Sequence, residues 1–130
     1  MSSSAPPHPA GAGLRVLLVE DEILVAMLLE DMLAELGHTI IGPVARLDKA
    51  VEMARNEALD LAILDVNLNG KEAYPVAEAL DMRGIPLVFA TGYGTGGLRA
   101  PYRNRPTLSK PFLRRDLVQA LALACSTKPV

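Results

Sequence analysis

Leu61-Ala62-Ile63-Leu64-Asp65-Val66-Asn67-Leu68-Asn69-Gly70 is the stretch whose reading decides the fold. Four apolar residues without polar alternation, ended by an acid and followed by Asn-Leu-Asn-Gly, predict a strand buried on both faces, as the strands of parallel sheets are. Asp65 then stands at the carboxyl end of a central strand. In open α/β sheets ligands bind outside that edge, so the polar residues that converge on Asp65 carry the functional question.

Upstream, Arg15-Val16-Leu17-Leu18-Val19 is a second continuous apolar run, and it stops at Glu20-Asp21-Glu22. Val25, Leu28, Leu29, Met32, Leu33 and Leu36 then recur at helical spacing, and Gly37 supplies a stop. His38 to Gly42 predicts a short strand closed by Pro43, and Asp48 to Asn56 a helix with Ala50, Val51 and Ala54 on one side. Downstream of the central stretch, Glu72 to Arg83 predicts a helix with Pro75 in its first turn. Leu87-Val88-Phe89-Ala90 is the next strand, ending at Thr91. The loop from Gly92 to Gly97 holds four glycines in six residues, so few backbone constraints act on it. Pro101 interrupts the helix expected around Leu98 to Arg103, which must be short or irregular. Thr107-Leu108-Ser109 is a brief strand leading into Lys110-Pro111, and Leu113 to Ala124 is the last helix.

Strand and helix alternate through the chain. This predicts an α/β fold: a five-stranded parallel sheet in the flavodoxin-like order 2-1-3-4-5, with helices on both faces and right-handed crossovers. Half of the 130 residues are hydrophobic, which suffices for one core and leaves no room for a second domain. We place the domain at residues 14–126. Residues 1–13, rich in Ser, Ala, Pro and Gly, are expected to be a disordered tail, and 127–130 a C-terminal tail.

Thirteen basic and fifteen acidic residues leave a net charge of −2 with no basic cluster, which argues against nucleic acid as a partner. No apolar run approaches the roughly 20 residues that span a bilayer, and the first residues lack the form of a secretory signal, so no membrane association and a cytoplasmic location are expected. The single cysteine, Cys125, cannot form an internal disulfide.

In the predicted order, Glu20 and Asp21 end the strand beside the one that Asp65 ends, while Thr91 and Lys110 end the next two strands on the same edge. Taken singly, each has an ordinary structural reading: Glu20 or Asp21 as a helix cap, Asp65 as a turn starter, Thr91 as a cap, Lys110 as a solvated surface charge. Together they are costly, because two carboxylates about 5 Å apart at an effective dielectric near 20 repel by on the order of 3 kcal/mol. A hard divalent cation such as Mg²⁺ relieves that repulsion through oxygen ligands. Carboxylates, Mg²⁺, a lysine and a hydroxyl donor are the parts that phosphoryl transfer uses, and an Asp acceptor would form an acyl phosphate.

Val19-Glu20-Asp21-Glu22, Ile63-Leu64-Asp65-Val66-Asn67-Leu68, Ala90-Thr91-Gly92 and Ser109-Lys110-Pro111-Phe112 resemble, in order, the four signatures of the response regulator receiver domain of two-component signalling. The resemblance covers about residues 14 to 125. It implies that Asp65 accepts a phosphoryl group from a phosphohistidine of a histidine kinase or phosphotransfer protein. It also implies that Asp21, Asp65 and the backbone carbonyl of Asn67 ligate Mg²⁺, with Glu20 acting through a water. Thr91 and Lys110 would contact the phosphoryl oxygens, and the Lys110-Pro111 bond would be cis. Receivers usually carry an aromatic residue three positions before the lysine, where this chain has Thr107. Phe89-Ala90-Thr91-Gly92-Tyr93-Gly94 is instead similar to the receiver subclass called FAT GUY. The expected switch residues are therefore Thr91, Gly92 and Tyr93, with Thr107 replacing the usual aromatic.

The resulting expectation is a stand-alone receiver that catalyses its own phosphorylation and dephosphorylation without being an enzyme on other substrates. It would signal through a downstream protein partner, or relay or drain phosphate, as a monomer or weak dimer. The rival from another class is a pseudo-receiver adaptor whose binding is independent of phosphorylation. A phosphatase with an aspartyl nucleophile is a third candidate, but such enzymes usually place an acid two residues after the nucleophile, and that position is Asn67.

Overall fold

The computed structural model describes residues 13–92 and 98–126. The strands β1 (Arg15–Val19), β2 (Thr39–Val44), β3 (Leu61–Asp65), β6 (Leu87–Thr91) and β7 (Thr107–Ser109) form one sheet in the order β2-β1-β3-β6-β7. All of its pairings are parallel. A two-residue hairpin, β4 (Asn67–Leu68) and β5 (Lys71–Glu72), intervenes in the count. With it set aside, the order is the predicted 2-1-3-4-5.

Strand alternation divides the core. Leu17, Val19, Ala62, Leu64, Leu87 and Phe89 pack toward α2 (Leu47–Asn56) and α3 (Tyr74–Met82). Val16, Leu18, Leu61, Ile63, Val88 and Ala90 pack toward α1 (Ile23–Glu35) and α4 (Arg114–Ser126). Every residue of β3 and β6 is buried, which is why these strands read as unbroken apolar runs. Each fully buried Leu, Val or Ile contributes roughly 1.5 to 3 kcal/mol, so the core holds the sheet without help from its polar edge. Gly37, at φ 90°, ends α1 with hydrogen bonds from Gly37 N–H to Ala34 O and from His38 N–H to Leu33 O. His38 is buried; its Nδ1 accepts the Leu14 N–H at 3.1 Å, and its Nε2 has no hydrogen-bond partner among the described residues.

Two boundaries differ from expectation. Pro43 does not close β2, which continues to Val44 through a cis Gly42-Pro43 bond. An edge strand tolerates the missing N–H, and the pairing with β1 is irregular there, passing from Leu17↔Ile41 to Val19↔Val44. Gly42 is required at this spot: its φ is 111°, and a Cβ would stand 2.8 Å from the Leu18 carbonyl oxygen. The third helix starts at Tyr74 instead of Glu72, because Lys71–Glu72 pairs with Asn67–Leu68 across an Asn69-Gly70 turn with both residues at positive φ. Asn-Gly is the pair that such two-residue turns favour. The helix near Leu98 to Arg103, expected to be short or irregular, is a 3₁₀ turn over Ala100–Tyr102. Among the described residues no helix is long and apolar enough to cross a membrane.

Candidate functional site

The carboxyl edge of the sheet opens into a cleft of about 670 Å³ lined by residues that include Asp21, Glu22, Asp65, Asn67, Thr91, Gly92 and Lys110. β3 and β6 end in Asp65 and Thr91, β1 is followed by Glu20 and Asp21, and β7 is followed at once by Lys110. Carboxylate oxygens of Glu20, Asp21 and Asp65 lie within 4.8 Å of one another. Glu20, Asp65 and Thr91 are buried, whereas Asp21 is half-buried.

Lys110 is the counter-charge. Its Nζ is 3.1 Å from Glu20 Oε1, 3.1 Å from Asp65 Oδ2 and 2.9 Å from Glu22 Oε1. Burial alone would pull the Lys110 ammonium down, but its hydrogen bond to Glu22 and the charges of Asp65 and Glu20 outweigh that and hold it above the ordinary lysine value. The Lys110 N–H also bonds to the Thr91 carbonyl at 2.9 Å, and the Lys110-Pro111 bond is cis. Glu22 was not among the residues singled out by sequence; the signal was available in the unbroken Glu20-Asp21-Glu22 run.

The hairpin after Asp65 is fastened to this cluster. Asn67 N–H donates to Asp65 Oδ1 at 3.1 Å, Asn69 N–H to Asp21 Oδ2 at 2.9 Å, and Gly70 N–H to the Asn67 side-chain oxygen at 2.8 Å. Glu20 does not take the capping role considered for it: its Oε2 accepts the N–H of Glu22, the residue before α1, at 3.1 Å, a bond outside the first turn of the helix. Thr107 is not brought to the cleft. It pairs with Phe89, and its hydroxyl donates to the Arg105 carbonyl at 3.0 Å. Tyr93 lies outside the described residues.

The donor set fits a hard divalent cation. Three carboxylates converge, and among the described residues Glu20 Oε1, sealed from solvent, accepts no hydrogen bond, its neighbour being the Lys110 ammonium. Burial, followed by its interaction with Asp65, pushes the Glu20 carboxyl up to about 7, against the downward pull of the Glu22 N–H and Lys110. Between the ordinary value of 4.5 and about 7 the folded, metal-free protein therefore holds more protons than the unfolded chain. Its stability from this group falls as pH rises through that window. His38, held below its ordinary 6.5 by burial, acts in the opposite sense as pH drops, so the comparison must be between variants. In chelator, the difference in Tm between Glu20→Gln and wild type should widen by several degrees in favour of Gln from about pH 5 to about pH 7.5. A constant difference across that range would contradict the assignment.

Residues 16–122 match the family described as the response regulator receiver domain. The transcriptional regulatory protein PdtaR of Mycobacterium tuberculosis is 34% identical over 116 residues, covering 86% of this chain and 57% of PdtaR. The chain spans about half the length of the curated relatives it matches. Among solved structures, SdrG from Sphingomonas melonis Fr1 aligns with a TM-score of 0.79 at 44% identity, covering 86% of this chain and 96% of SdrG. A BeF3-activated conformation of SdrG aligns at 0.74 and 46%, covering 85% and 95%. The receiver domain of the sensor histidine kinase PA1611 from Pseudomonas aeruginosa, with magnesium in its active-site cleft, aligns at 0.72 and 26%, covering 88% and 99%. The chain belongs to the response regulator receiver family, and the FAT GUY assignment is consistent with its likeness to SdrG.

Proposed function

We propose that this receiver is a Mg²⁺-dependent phosphoacceptor, with Asp65 as the residue phosphorylated by a histidine kinase or phosphotransfer protein. The observation that carries the reading is the convergence of Glu20, Asp21 and Asp65 on one cleft with the Lys110 ammonium in contact with two of them. Asp21, Asp65 and the Asn67 carbonyl would hold the cation, and Glu20 would act through a water. When bound, Mg²⁺ supplies neutralisation of the charge that develops on the phosphoryl oxygens.

The chain's own residues do the rest. Asp65 presents a carboxylate oxygen to phosphorus; the new O–P bond forms as the P–N bond to the donor imidazole breaks, and the imidazole leaves with its electron pair. Lys110 passes from Asp65 Oδ2 to a phosphoryl oxygen, a short move for an ammonium already 3.1 Å away. The Thr91 hydroxyl donates to another phosphoryl oxygen, from a position on the cleft wall beside Gly92. Asn67 offers no acid for rapid hydrolysis of a phosphomonoester, and its side-chain oxygen is engaged by Gly70 N–H. The product is read by a downstream protein partner or passed on to another phosphotransfer protein.

Incubation of the wild-type protein with acetyl phosphate and millimolar Mg²⁺ should add one phosphoryl group by intact mass, and chelator should prevent it. Equal uptake with and without chelator would refute the metal requirement. No uptake under either condition would favour the phosphorylation-independent adaptor.

A further inference from the structure

The segment after the glycine-rich loop is clipped to the cleft by residues that the phosphoacceptor chemistry does not use. The Arg99 guanidinium pairs with Glu72, which lines the cleft on the outgoing strand of the hairpin. It also lies 5.1 Å from the centre of the Tyr74 ring, and the Arg99 N–H donates to the Tyr74 hydroxyl at 2.9 Å. Tyr74 stacks on Tyr102, their centroids 5.2 Å apart and their planes 12° from parallel. Both meet Phe89, two residues before Thr91 on β6, in T-shaped contacts. Arg105, over the Tyr102 ring, is bidentate to Asp81 of α3. Glu72, Tyr74 and Phe89 thus form a path from the cleft wall to residues 99–105.

We propose that Arg99, Glu72 and Tyr74 are a charge-sensitive latch that holds residues 99–105 against α3 in the unphosphorylated protein and opens when negative charge arrives on Asp65. The proposal rests on the phosphoacceptor reading above. Its physical basis is the position and weakness of the contacts. Arg99 and Glu72 are each more than half exposed, so their pair is screened and easily exchanged, and an exposed cation–π contact adds little more. A phosphoryl group brings nearly two negative charges into the cleft that Glu72 lines. The new charge repels the Glu72 carboxylate and competes with it for Arg99. Losing either contact frees the Arg99 N–H from Tyr74, and the Tyr74-Tyr102 stack can then shift against Phe89. No aromatic residue on β7 is needed for this transmission, which accords with Thr107 lying outside the cleft.

The Arg99 amide reports the latch directly. Its hydrogen exchange should be followed in the full chain, in wild type, Tyr74→Phe and Glu72→Gln, with Mg²⁺ alone and with Mg²⁺ plus beryllofluoride, a phosphoryl mimic. Beryllofluoride should raise exchange at Arg99 several-fold in wild type. Tyr74→Phe, which keeps the ring stack and loses the acceptor, should exchange several-fold faster before beryllofluoride is added and respond little to it; Glu72→Gln should fall between. A thermal shift with beryllofluoride but unchanged or slower Arg99 exchange in wild type would overturn the latch alone. Absence of any thermal shift would overturn the phosphoacceptor reading and the latch with it.

Discussion

Asp65→Asn should reduce phosphoryl uptake from acetyl phosphate to background while leaving the fold intact. The amide oxygen is a poor nucleophile, and no second carboxylate occupies the same strand end to replace it. The same variant should lose most of the rise in Tm that millimolar Mg²⁺ gives the wild type, because the cation stabilises the folded state only through the ligands it binds there. Undiminished uptake in Asp65→Asn would move the acceptor elsewhere, and an undiminished Mg²⁺ shift would remove Asp65 from the metal site.

Lys110→Ala should have the largest effect on stability. Lys110 Nζ lies within 3.1 Å of Glu20 and Asp65 and 2.9 Å from Glu22, so its loss leaves two buried carboxylates without a counter-charge. The expected cost in chelator near neutral pH is about 2 to 3 kcal/mol. Mg²⁺ should restore a large part of it, since a divalent cation neutralises the same carboxylates. The variant should still fold in Mg²⁺ and yet take up phosphoryl groups far more slowly than wild type. Unchanged Tm in chelator would contradict the role of Lys110 as the counter-charge of the metal-free site.

The central strands were legible because burial on both faces removes polar alternation, and Leu61–Asp65 has no exposed residue to blur the pattern. The meeting of Glu20, Asp21, Asp65, Thr91 and Lys110 at one edge followed from strand order alone, since each residue ends a strand or lies within two residues of a strand's end. Edge and turn features were harder to read. A proline normally ends a strand, but at the outer edge of β2 its missing N–H faces no partner, so Pro43 gave the wrong boundary. The Asn69-Gly70 hairpin carried its own signal, yet two-residue strands offer no periodicity to support it. Glu22 was obscured because it lies three residues past the end of β1, outside the strand-end pattern that marked its neighbours. The Arg99 clip had no signal in sequence: it joins residues 25 and 27 positions apart across α3 and β6.

The destination of the phosphoryl group decides what this receiver does. The direct measurement is peptide mapping of the wild-type protein after acetyl phosphate and Mg²⁺, with the acyl phosphate trapped by reduction or by hydroxylamine before digestion. A single modified site at Asp65, with stoichiometry approaching one, is the predicted result. Modification at another residue, or an unmodified Asp65 under conditions in which Mg²⁺ demonstrably stabilises the protein, would contradict it.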